Sequence, residues 1–79
     1  MPFYFFIWNQ EIEQHLAEHG VTPSEFEEVV CNPDEVEDSR SSGRPLALGE
    51  TTTGKYLACV YEMLDDSTVL PVTAYEIED

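Results

Sequence analysis

Apolar and polar positions fall into short blocks along this chain, and each block predicts an element. Phe3-Tyr4-Phe5-Phe6-Ile7-Trp8 is an aromatic, β-branched run with the composition of a strand. The next stretch is polar except for Ile12, Leu16 and Ala17, a narrow stripe at helical spacing. Asn9 is placed to cap that helix, Glu11 and Glu13 suit its positive end, and Gly20 ends it with His19 in the last turn.

A second helix is announced by Thr22-Pro23-Ser24-Glu25, a capping box with proline at the first helical position. Val21 and Phe26 stand at hydrophobic-staple spacing, Phe26, Val29 and Val30 make the buried face, and Asn32-Pro33 stops the helix. The pattern then turns β. Glu35-Val36-Glu37-Asp38 predicts an exposed strand, and Leu46-Ala47-Leu48-Gly49 another. Thr53-Gly54 turns the chain into Lys55–Met63, apolar on both faces and therefore central, and Asp65-Asp66-Ser67 turns it into a strand over 68–77. Pro71 cannot donate a ladder hydrogen bond, so that last strand lies at an edge or carries a bulge. The expected architecture is one α+β domain over residues 1–79. It runs β-α-α and then an antiparallel β-meander, with both helices on one face of the sheet.

Charge narrows the function. Seventeen acidic residues against three basic ones give a formal net charge of −14 over 79 residues. Such a body repels nucleic acid and anionic membranes and favours positively charged partners. Its cations, Arg40, Arg44 and Lys55, share one central stretch, the place for any anion chemistry. Cys31 and Cys59 are far apart with no CxxC pair, which fits two reduced thiols and a cytoplasmic protein. The apolar run ending at Trp8 has no basic flank and is too short to span a membrane.

Arg40-Ser41-Ser42-Gly43-Arg44 offers two guanidiniums around small residues whose amides can cradle a phosphate or carboxylate; Lys55 is the third cation of this anion- or partner-binding set. The competing expectation is a solvated loop whose arginines answer Glu37 and Asp38. His15-Leu16-Ala17-Glu18-His19 matches a zinc-peptidase spacing, but the helix breaks at Gly20 and no third ligand is in view, so no metal and no cofactor is expected. Tyr56, Tyr61 and Tyr75 are packing aromatics, or groups for stacking on RNA and for acid catalysis.

Several of these segments together resemble a known family. Trp8-Asn9, His19-Gly20-Val21, Phe26-Glu27, Asn32-Pro33, Leu48-Gly49, Gly54-Lys55-Tyr56-Leu57, Val60-Tyr61 and Val72-Thr73-Ala74 look like the BrnT-type ribonuclease toxins of bacterial toxin–antitoxin pairs. Those toxins have a compact fold similar to that of RelE, and the resemblance covers Phe6 to Glu76. It implies a RelE-like fold, metal-independent RNA cleavage, and neutralisation by a cognate antitoxin. It also implies His19 as general base, with Arg44 on the developing phosphorane charge and Tyr61 beside them. The chain departs from the family pattern at Glu18, before the His-Gly pair, and at Tyr75-Glu76, where an arginine is expected.

Two functions follow from these readings. One is a toxin-family protein, a weak endoribonuclease or a degenerate toxin acting through a basic antitoxin-like partner, with RNA bound only if the Arg40/Arg44 site works. The other is a non-catalytic acidic module that holds a basic protein or mimics nucleic acid.

Overall fold

The protein, described here as a computed structural model over residues 4–38 and 43–77, is a mixed sheet with two helices on one face. In chain order the elements are β1 (Phe5–Phe6), α1 (Gln10–Glu18), α2 (Pro23–Cys31), β2 (Glu35–Asp38), β3 (Pro45–Glu50), β4 (Tyr56–Met63) and β5 (Thr68–Glu76). Among the described residues the strand order is β1-β5-β4-β3-β2, so the apolar strand β4 is central as its pattern predicts. Strands β2 to β5 form the antiparallel meander.

The aromatic run behaves differently from a full strand. Only Phe5 and Phe6 pair, and they pair parallel to Thr68 and Val69 of β5. Its alternate rings explain why. Phe6 stacks on Trp8 with centroids 6.3 Å apart, and both meet the Phe26 ring edge-on. These residues serve as an aromatic plug over the core more than as sheet, while Phe5 points outward and is 67% exposed.

Local chemistry sets the helices as expected. The Asn9 side chain accepts the Ile12 N–H at 2.8 Å and starts α1. Gly20 then turns with φ of 74°, a left-handed conformation that side chains resist. Both halves of the α2 capping box are made: the Glu25 N–H donates to Thr22 Oγ1 at 3.2 Å, and the Thr22 N–H donates to Glu25 Oε1 at 3.0 Å. The helices and the junction between them turn Leu16, Val21, Phe26 and Val29 onto Ala47, Leu57, Cys59 and Val69 of the sheet. Phe26 is wholly buried, which alone stabilises the fold by roughly 2–3 kcal/mol.

The last strand carries the bulge that Pro71 requires. Val60 pairs with Thr73 but Tyr61 pairs with Pro71, so Val72 is the extra residue. Strand β2 is exposed along its whole length, as its four residues predict.

Candidate functional site

Lys55 is best understood from the turn that delivers it. Gly54, at φ of 90°, lets the chain between β3 and β4 fold back. The Lys55 N–H then donates to Thr51 Oγ1 at 3.1 Å. Its ammonium reaches across to the α1–α2 junction, where Nζ donates to the Gly20 carbonyl at 2.9 Å and lies 3.3 Å from Glu25 Oε2. The Glu25 carboxylate also accepts from Thr53 Oγ1 at 3.0 Å, so turn and helix start are tied by one nearly buried acid. Burial pushes the Glu25 carboxyl up, but hydrogen bonds from Thr22, Thr53 and Lys55, with the charge of Lys55, outweigh it and hold the group below its usual value. Lys55 is thus a structural clasp.

His19 is the C-cap residue of α1 and is exposed; its ring sits edge-on to that of His15 with centroids 5.1 Å apart. His15 Nε2 and Thr73 Oγ1 share a hydrogen bond of 2.9 Å that ties α1 to β5. A shallow cleft runs beside this contact, lined by Asn9, Glu11, Ile12, His15 and Val72. None of its lining residues is Lys or Arg.

Arg44 stands elsewhere. It precedes β3, and its Nε lies 3.8 Å from Glu62 Oε2 of β4. Glu62 follows Tyr61, and successive strand residues point to opposite faces. Tyr61 belongs to the helix-side core, 9% exposed, where burial and then the neighbouring Tyr4 push its phenol up. Arg44 therefore lies on the outer face of the sheet, away from both helices. Gly43 is exposed with φ of 69°, whereas Arg40, Ser41 and Ser42 lie outside the described residues.

The structure thus brings Lys55 next to the His19-Gly20 corner, but it does not bring His19, Arg44 and Tyr61 together. Tyr61 and Arg44 are on opposite sides of the sheet, and Lys55 Nζ is engaged by a carbonyl and a carboxylate. Among the described residues no three of His, Cys, Asp or Glu stand close enough to hold a metal ion. No described helix is long and apolar enough to cross a membrane.

Sequence reasoning missed the long-range roles of the α2 acids. Glu27 accepts Trp8 Nε1–H at 2.7 Å, and Glu28 accepts the Thr52 N–H at 2.9 Å. Acids that read as one solvated run are in part fastenings. Nothing local signals this, because each partner lies far off in the chain.

Two helices on one face of a five-stranded mixed sheet, with the first strand parallel to the last, define an α+β fold of the ribonuclease-toxin type. The particular solved protein it is similar to is the ribonuclease toxin BrnT of Brucella abortus, with a TM-score of 0.72 over 100% of both chains and 15% sequence identity. The likeness is one of fold. No protein-family model matches the sequence, and no curated protein does.

Proposed function

We propose that this chain is a BrnT-fold protein that acts in the cytoplasm by binding a positively charged, antitoxin-like partner protein, and that it does not cut RNA. One observation carries the reading: both described cations are engaged by carboxylates at separate places, Arg44 by Glu62 and Lys55 by Glu25. Cleavage of RNA without metal needs a base and cations converging on one phosphate. A body of charge −14 also lacks the long-range attraction that brings RNA to such a site, and attracts a basic protein instead.

Incubation with unstructured RNA at low salt and without metal tests this directly. The RNA is expected to stay intact at high protein excess. A small basic protein encoded beside this chain is expected to form a complex that salt weakens. RNA cleavage that disappears in His19→Ala or Arg44→Ala would establish a ribonuclease instead, as would such cleavage together with indifference to the basic protein.

A further inference from the structure

The face of the sheet away from the helices is apolar at its centre and acidic at its border. Cross-strand partners share a face, so the register lays out this surface row by row. Glu35, Leu48, Ala58 and Tyr75 make one row, and Glu37, Leu46 and Val60 the next, whereas Thr73, beside the bulge, turns its hydroxyl to His15 of α1. Glu50 beside Tyr56, and Glu62 beside Leu70, close the two ends. Ala58 and Val60 are 0% and 7% exposed yet stand outside the helix-side core cluster. On the same face Leu46 and Leu48 are half-buried and Tyr75 is 44% exposed. No described helix or strand covers them.

Resting on the function proposed above, we infer that this outer face is the docking surface, and that its occupant is a basic amphipathic helix of the partner protein. Charge decides between occupants. In a symmetric pair of copies the four glutamates of one face would meet the same four of the other, each molecule carrying −14. A helix with an apolar stripe flanked by Lys or Arg sets its stripe on Leu46, Leu48 and Val60 and its cations on Glu35, Glu37 and Glu50, while Glu62 is already paired with Arg44. Dimensions agree. Four strands about 4.8 Å apart are crossed by a helix of about 14 residues, roughly 21 Å long. The helix completes a third layer, as α1 and α2 already do on the other face.

The test is a titration of the isotope-labelled chain, followed by amide shifts, with a Leu/Lys amphipathic peptide of about 14 residues and with its twin carrying Glu for Lys. The Lys peptide is expected to move amides of β3, β4 and the second half of β5, and the Glu twin to move none. Leu48→Ser and Tyr75→Ser, each checked for an unchanged circular dichroism spectrum, are expected to weaken binding at least tenfold; Gln14→Ser on α1 leaves it intact. The surface assignment is overturned by shifts confined to α1 and α2, or by no shift at low salt. It is equally overturned if the two serine variants bind as wild type. Dimerisation through this face, or the same shifts with an RNA oligonucleotide, overturns the occupant. If the encoded basic protein still binds but leaves its footprint elsewhere, only this inference falls. If that protein does not bind at all, the proposed function falls with it.

Discussion

Protonating Glu25 removes the charge that four donor groups converge on, and the sign of the consequence follows from its lowered pKa. A carboxyl held below its unfolded value of about 4.3 contributes stability above that value and loses it as pH falls through the folded one. Glu25→Gln is therefore expected to cost about 1–2 kcal/mol at pH 7. The gap between wild type and variant should close below about pH 4, as urea midpoints across pH will show. The thiols are equally specific. Burial, with the charge of Glu25 nearby, pushes Cys59 up to about 12. Cys31 is half-buried and raised less, by burial and then by Glu27. Iodoacetamide at pH 8 is expected to label Cys31 slowly and Cys59 only after unfolding, read by mass spectrometry of the intact chain. The cap partnership of Thr22 with Glu25 was legible in the sequence because its donors lie within one turn. The bond from Glu25 to Lys55 was not, since only the fold brings the β3–β4 turn to that corner.

Elements were readable where their signals are local. Both helices, the exposed strand β2 and the bulge at Pro71 follow from caps, alternation and a missing N–H. The aromatic run was overextended as a strand because propensity alone cannot tell sheet pairing from ring packing on a core. The candidate site was the least legible part. Face assignment needs the register, and the register puts Tyr61 and Arg44 on opposite sides. One junction of elements yields a sharp expectation. A Cβ built at Gly49 lies 3.4 Å from Val29 Cγ1 and 3.5 Å from the Asn32 carbonyl oxygen. Alanine there is in near-ordinary contact, whereas the added methyls of valine meet the end of α2. Gly49→Val is expected to lower stability by about 1–3 kcal/mol and Gly49→Ala by clearly less, measured by chemical denaturation.

At the scale of the molecule, charge opposes compaction. The fold has a radius of gyration of 11.5 Å. At 0.01 M salt the screening length is about 30 Å, so the acids of the whole domain repel one another. Raising salt to about 0.5 M shortens that reach to a few ångströms and weakens only a few exposed pairs in exchange. Stability is expected to rise by about 1 kcal/mol, seen as a melting temperature higher by about 4–8 °C. A fall on adding salt would mean that ion pairs outweigh self-repulsion.

The parallel pairing of β1 with β5 has a consequence for biosynthesis. Phe5 and Phe6 leave the ribosome well before their strand partners Thr68 and Val69. Until the β4–β5 hairpin has emerged, the plug of Phe6 and Trp8 has no completed sheet to close on, so the nascent chain presents greasy rings to chaperones over that interval.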